Sequence, residues 1–318
     1  MIDLLRISGS FATTWLILWL CSAWLLLLVY PLPRRQLLKL HPAVASRILL
    51  LLLAFPFLLS LGTTVLLFLP VTESNLVSPH CHETCQTHIP LLESVWLGSI
   101  GLLLIFSILY VAQRKLLFNI RTARKLMTDL LRLGKDLGRW HQLPDEQPVI
   151  FTLGWWRNRI FVTEGLLRQC NSTDIDIILL HELAHGNRCD NLRLLLARLF
   201  LLVLPTAFAA SVYKDLHFLT ESACDFAAAE KYGDLEVAET LLRVQRLVPV
   251  NSDYFKNGLV SAFTGAEIEQ RIKSLVAGRT HFSSLQYGQS LCLLALALLS
   301  FMLVDPMHHG VEWLLSLH

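Results

Sequence analysis

The chain has 318 residues, of which 54% are hydrophobic and 16% are charged, and its mean hydropathy is +0.52. This apolar content excludes an ordinary soluble protein and predicts a membrane protein, in which the placement of Lys and Arg matters more than the net charge of +2. Seven scattered cysteines, an odd number, also exclude a disulfide framework.

Apolar runs divide the chain. Those at residues 11–31, 48–70 and 95–112 are long enough to cross a bilayer, and a fourth lies at 282–304. The first run ends in Pro-Leu-Pro-Arg-Arg rather than in small residues, which indicates a retained anchor and not a signal peptide. We predict a mainly α-helical, polytopic protein with four spans. Its predicted domains are a three-span region at 1–112, a cytoplasmic domain at 113–281, a fourth span at 282–305 and a short outer tail at 306–318.

The charges between the runs predict the topology. The first loop has four basic and no acidic residues, whereas loop 71–92 has Glu73 and Glu83 and no Lys or Arg. By the positive-inside rule the first loop is cytoplasmic, loop 71–92 is outside, and both termini are outside.

The segment after the third run is rich in Lys and Arg as far as Arg139, with leucines at helical spacing. It predicts a basic amphipathic helix that contacts anionic headgroups of the bilayer. Direct nucleic-acid binding is not expected, because no DNA-binding motif accompanies the charge.

Residues 148–163 predict a small β-hairpin, since two β-branched and aromatic runs flank a turn with Gly and Asn. Its edge could take up an extended substrate by strand addition, or the hairpin could serve packing alone. A short helix at 164–169 and cap residues at 171–174 follow.

Residues 181–185 read H-E-L-A-H. On a helix His181 and His185 lie one turn apart on one face, and Glu182 is rotated by about 100°. This is the pattern of two zinc ligands and a general base for the attack of water on an amide.

The apolar run 192–213 resembles a span, but the best candidate for a third ligand follows it and must lie on the same side as His181. The run also contains Pro205 and is too short to cross twice. We therefore expect it to dip into the membrane or to pack as a buried hairpin.

The third-ligand candidate is Glu221, followed one turn later by Asp225. Two histidines and a glutamate leave a fourth position for water, as in catalytic zinc sites. Asp225 could accept the free N–H of a ligating imidazole, with His181 as the expected partner.

Arg271 and His217 are the candidates for a donor to the oxyanion of the transition state; the alternatives are a surface arginine and a packing histidine. A rival structural site on His181, His185 and Cys189 is disfavoured, because Cys189 lies about 12 Å along the helix from His181. Cys189 and Cys224 are interpreted as small buried residues.

The H-E-L-A-H helix, N-R-C-D, a proline-bearing apolar run, E-S-A-C-D and a late R-I-x-x-L together resemble the antirepressor membrane metallopeptidases of the BlaR/MecR type. The resemblance implies three spans, a cytoplasmic zincin-like domain and a fourth span in the inner membrane of a bacterium. Transferred residue by residue, it implies zinc on His181, His185 and Glu221, with Glu182 as the base and Asp225 behind a ligand. The large extracellular penicillin-binding domain of the beta-lactam sensors does not follow, so antibiotic sensing is not expected.

The HtpX/Ste24 type of membrane peptidase also resembles this chain, in H-E-x-x-H, in E-x-x-x-D and in V-T-E-G-L-L at residues 162–167. Three functions therefore stay open. They are a signalling endopeptidase that cleaves a regulator such as a cytoplasmic repressor, a quality-control protease, and a non-enzymatic metal sensor of the membrane.

Loop 71–92 contains two cysteines and three histidines within nine positions, namely His80, Cys81, His82, Cys85 and His88. A Cys81–Cys85 disulfide with solvated histidines is one interpretation. A Zn- or Cu-responsive or redox-responsive outer sensor is the other.

Replacing Cys81 and Cys85 with Ser is expected to change regulation and to leave basal peptidase activity intact. Cleavage in membranes, with and without added metal or reductant, measures this. A double variant that responds like the wild type in every condition would reduce the loop to a connector.

Overall fold

The computed structural model describes residues 2–69, 91–92, 94–155, 158–247 and 265–277, together with residues 298, 302, 305, 306, 309 and 310. The helices are α1 (Ile2–Val29), α2 (Pro31–Leu37), α3 (Pro42–Leu67), α4 (Val95–Leu133), α5 (Glu164–Gln169), α6 (Ser172–Arg188), α7 (Asp190–Phe200), α8 (Thr206–Tyr232), α9 (Asp234–Leu247) and α10 (Gly265–Val276). The strands are β1 (Lys135–Asp136), β2 (His141–Leu143), β3 (Ile150–Leu153) and β4 (Arg159–Thr163).

Within the described residues, three helices are long and apolar enough to span a membrane: α1, α3 and α4. They contain most of the three predicted runs. Large apolar side chains on α1 and α4, such as Trp24 and Phe106, are exposed, as expected for helices that contact lipid. The predicted fourth span at 282–304 and the Cys and His residues of loop 71–92 lie outside the described residues.

Helix α4 is shorter at its basic end than we predicted. It runs unbroken from the third apolar run into the basic segment, but it ends at Leu133 and not near Arg139. Gly134 caps it by donating its N–H to the carbonyl of Leu130 at 2.8 Å. A turn at Gly138, whose φ is +84°, then reverses the chain between β1 and β2.

The predicted hairpin is confirmed, since β3 and β4 pair antiparallel with Phe151 opposite Phe161. The sheet is larger than predicted, with the strand order β1-β2-β4-β3. Strand β2 pairs in parallel with β4. Strands β1 and β2 have only two and three residues, which is too short for a recognisable strand pattern in the sequence. Strand β3 is an edge, but Asn191 already donates to the carbonyls of Thr152 and Gly154.

The apolar run 192–213 packs on one side against the first three helices. It is divided into α7 and α8 by a 3-10 turn at Leu201–Val203 and by Pro205. Side chains from both helices share one apolar core with α1, α2 and α3. The buried members of this core include Trp19, Leu37, Leu49, Leu53, Leu201, Leu216 and Leu219. The run thus packs as a pair of helices against the first two long apolar helices, and whether it dips into the membrane stays a prediction.

Helices α1 and α4 cross at backbone contact. A Cβ added at Gly9 would lie 2.8 Å from the Cα of Gly98. Gly9→Leu is therefore expected to separate the helices and to lower stability by about 1–3 kcal/mol, as overpacking does. Thermal unfolding in detergent measures this, with Ser8→Leu on the exposed side of the same helix as the control. Equal melting temperatures for both variants would contradict the close crossing.

Candidate metal centre

Helix α6 presents the two histidines on a fixed frame. Asn171 caps its start, because the side-chain oxygen of Asn171 accepts the N–H of Asp174 at 2.7 Å. Cys189 follows its last residue, and the φ of +54° at Cys189 is the only positive φ of a non-glycine residue among those described. A left-handed backbone conformation is unfavourable for cysteine. At Cys189 it changes the direction of the chain at the start of α7, so that the Asp190 carboxylate contacts the imidazole of His185.

Three side chains converge beside this helix. The Nε2 atoms of His181 and His185 are 3.1 Å apart. Glu221, from the middle of α8, brings one carboxylate oxygen to 3.6 Å from His181 Nε2 and the other to 3.4 Å from His185 Nε2. His181 and Glu221 are buried and His185 is half-buried. The structure thus brings together the two predicted ligands and the predicted third ligand.

A carboxylate stands behind each imidazole. Asp225 Oδ1 is 2.9 Å from His181 Nδ1, and Asp190 Oδ2 is 3.0 Å from His185 Nδ1. These contacts imply that each Nδ1 carries the proton and donates it to its carboxylate. Both Nε2 atoms then face the centre with lone pairs, as do the oxygens of Glu221.

Lone pairs that converge in this way favour a positive charge between them, and the set of two imidazoles and one carboxylate fits zinc. Tetrahedral ligands at the usual Zn–N and Zn–O lengths of about 2.0–2.2 Å lie about 3.3–3.6 Å from one another. The 3.1 Å between the two Nε2 atoms is close to this range, and one oxygen of Glu221 lies 3.6 Å from His181 Nε2 while the other lies 3.4 Å from His185 Nε2. One carboxylate and two imidazoles also leave room for a fourth ligand.

The pKa shifts of His181 and Glu221 are those expected where carboxylates and imidazoles lie close together. Burial by itself lowers the pKa of His181, but hydrogen bonds to Asp225 and Glu221 raise it to about 10. Burial raises the pKa of Glu221, but His185, His181 and Arg271 together hold it well below its usual range. A positive charge, as a proton or as a metal ion, is therefore favoured at this position.

Arg271 forms ion pairs with the carboxylates of Asp225 and Glu221. It is 2% exposed, and its Nε and Nη2 bind the two oxygens of Asp225 at 2.7 and 2.6 Å. Its Nη1 lies 3.2 Å from Glu221. The guanidinium thus points at the residues that surround the imidazoles, and the interpretation as a surface arginine is wrong.

His217, the other candidate for an oxyanion donor, lies on α8 one turn before Glu221. Its Nε2 is 3.9 Å from Glu221 Oε1, and its side chain is mostly buried. The structure therefore places it beside the third ligand candidate.

Glu182 is buried beside this cluster and is held by a strand. Its Oε2 accepts a hydrogen bond from Thr152 Oγ1 at 2.7 Å. Thr152, in the middle of β3, was not predicted to take part, since nothing in the hairpin pattern marks one threonine. Asp190 was also missed, although N-R-C-D contains it and a carboxylate five residues after His185 was a usable signal.

The cysteines do not form the rival site. Among the described residues, the other group able to hold a metal is His185, Asp190 and Cys224, which does not include Cys189. Burial raises the pKa of the Cys224 thiol well above its usual value, which disfavours the thiolate that a metal requires. Cys224 is buried as expected, whereas Cys189 is only half-buried.

Comparison with known proteins adds one finding. Residues 142–270 match the model of peptidase family M48. The match covers less than half of the chain and contains His181, His185, Glu182, Glu221 and Asp225. It supports the M48 membrane metallopeptidases broadly and, with the three apolar helices, indicates a metallopeptidase of the membrane. No curated protein matches the chain.

Loss of the carboxylate behind His185 should weaken metal binding. Asp190→Asn is expected to lower zinc affinity roughly 10- to 100-fold, because the imidazole is then no longer oriented by a charged acceptor. Competition with a chelator on the purified protein measures this. Asp176→Asn, on the exposed side of the same helix, is the matched control. Unchanged affinity in the first variant would make Asp190 a packing residue.

Proposed function

We propose that this protein is a zinc-dependent endopeptidase of the membrane that hydrolyses peptide bonds in protein substrates. The observation that carries the proposal is the convergence of His181, His185 and Glu221, with Glu182 beside them. The match to peptidase family M48 supports the same class of enzyme.

His181, His185 and Glu221 would hold the zinc ion. When bound, zinc supplies Lewis-acid chemistry that makes water a stronger nucleophile at neutral pH. Asp225 and Asp190 keep each imidazole in the tautomer whose Nε2 faces the centre. Arg271 keeps the carboxylates of Glu221 and Asp225 ionised, because it pairs with both.

Glu182 acts as the general base. Its carboxylate takes a proton from the attacking water and later gives it to the leaving amine. Since Thr152 Oγ1 donates to Oε2, the remaining oxygen, Oε1, is the natural carrier of the proton. The hydroxyl also fixes the orientation of the carboxylate during both transfers.

The biological role that we favour is signal transduction by cleavage of a regulator. The order of motifs, which resembles that of the BlaR/MecR type, supports this role. We further propose that the protein lies in the inner membrane of a bacterium with its catalytic domain in the cytoplasm. The basic residues of the first loop and of α4 support this orientation. The alternatives are HtpX-like quality control and non-enzymatic metal sensing.

Two substitutions separate catalysis from metal binding. Glu182→Gln should abolish hydrolysis with zinc retained, and Glu221→Ala should lose both, since only two protein ligands remain. Zinc content and the cleavage of a protein substrate in membranes are the measurements, with Glu230→Gln at the exposed end of α8 as the control. Hydrolysis by the Glu182 variant would overturn the proposed function, and full zinc occupancy in the Glu221 variant would overturn the ligand set.

The proteins that accumulate in cells with the Glu182→Gln variant distinguish the roles. One accumulating protein indicates a regulator, and many indicate quality control. A cellular phenotype that matches the wild type would favour the non-enzymatic metal sensor.

A further inference from the structure

A polar cleft opens beside Glu182. It lies between α6 and the ends of strands β2, β3 and β4, and has a volume of about 300 Å³. This is at the lower end of the range for ligand sites, about 300–1,000 Å³. Its lining residues include Arg139, His141, Thr152, Asn158, Arg159 and Glu182.

The cleft has an excess of positive charge. Arg139 and Arg159 are both exposed, and neither forms an ion pair with any residue that the structure describes. Glu182 is the one acidic residue among those that line the cleft, and Thr152 already binds its carboxylate. Asp136, near His141, accepts the N–H of Gly138 at 2.8 Å. Two guanidinium groups are thus available to an anionic ligand.

Both arginines project from backbone that is fixed. Arg139 lies on the turn between β1 and β2, where Leu137 N–H donates to the carbonyl of Trp140 at 3.0 Å. Arg159 is the first residue of β4 and pairs with Leu153. Its neighbour Asn158 donates to the carbonyl of Gly186 on α6 at 2.9 Å, which ties the start of β4 to the helix with the histidines.

We propose that this cleft selects substrates with an acidic side chain close to the scissile bond, through Arg139 and Arg159. The proposal rests on the proposed peptidase function and names its substrate class. Guanidinium groups bind carboxylates with paired, charge-assisted hydrogen bonds, so an aspartate or glutamate side chain is the complementary ligand. The cleft reaches Glu182, so a side chain bound there belongs to a residue near the reacting carbonyl.

The test uses the full chain in nanodiscs of zwitterionic phosphatidylcholine, so that lipids with a net negative charge do not compete for the arginines. A peptide library is cleaved, and the best sequence is remade with Glu, Gln or Lys at the enriched position. The wild type should show a kcat/KM roughly tenfold or more higher for the Glu peptide than for the Gln peptide. The double variant Arg139→Gln/Arg159→Gln should bring this ratio close to one.

Arg246→Gln on α9 is the matched control, because it removes an exposed arginine outside the cleft and should keep the wild-type ratio. Binding gives a second measurement without cleavage. Fluorescence anisotropy with the Glu182→Gln variant should show tighter binding of the Glu peptide than of the Gln peptide. Adding the two arginine substitutions should remove the difference.

The outcomes separate the two proposals. Cleavage that depends on Glu182 but shows no preference for Glu over Gln overturns the acidic specificity alone, as does a preference that survives in the double variant. If the wild type cleaves no peptide in the library, and library peptides with Glu bind no more tightly than those with Gln at the same position, the peptidase proposal and the specificity fail together.

Discussion

The structure of the site depends on one buried array of charges. Arg271, Asp225 and His181 come from α10, α8 and α6, and all three are at least 95% buried. A buried charge without a partner costs several kcal/mol, so each group requires the others to be in place. The bidentate contact of Arg271 with Asp225 therefore fixes how the three helices meet, and the orientation of His181 follows from it.

A second polar chain fixes the other imidazole. His185 binds Asp190, Asp190 binds Arg188, and Arg188 Nη2 donates to Ser46 on α3 at 2.9 Å. Nearer the start of α8, Asp215 accepts hydrogen bonds from Tyr30 and from Arg34 on α2. Helix α3, which is long enough to cross a membrane, and the segment that follows α1 thus hold the two helices that supply the histidines and Glu221.

Local spacing in the sequence predicted much of this site. The one-turn spacings between His181 and His185 and between Glu221 and Asp225 follow from the period of a helix, and the cap at Asn171 follows from the preference of asparagine for that position. Contacts between distant segments were not readable. Thr152 reaches Glu182 across 30 residues and Arg271 reaches Asp225 across 46, and no local pattern encodes such partners. Helix α4 ends at Leu133 because Gly134 and Gly138 follow it closely, and glycine is a poor helix former.

The apolar core shared by α1, α2, α3, α7 and α8 has a practical consequence. A fragment cut out around the metal centre would leave the faces of Leu201, Leu216 and Leu219 in water and would remove the partners of Arg188 and Asp215. Fragments with such exposed faces aggregate or collapse. The metal centre is therefore inseparable from the apolar helices that share this core with it.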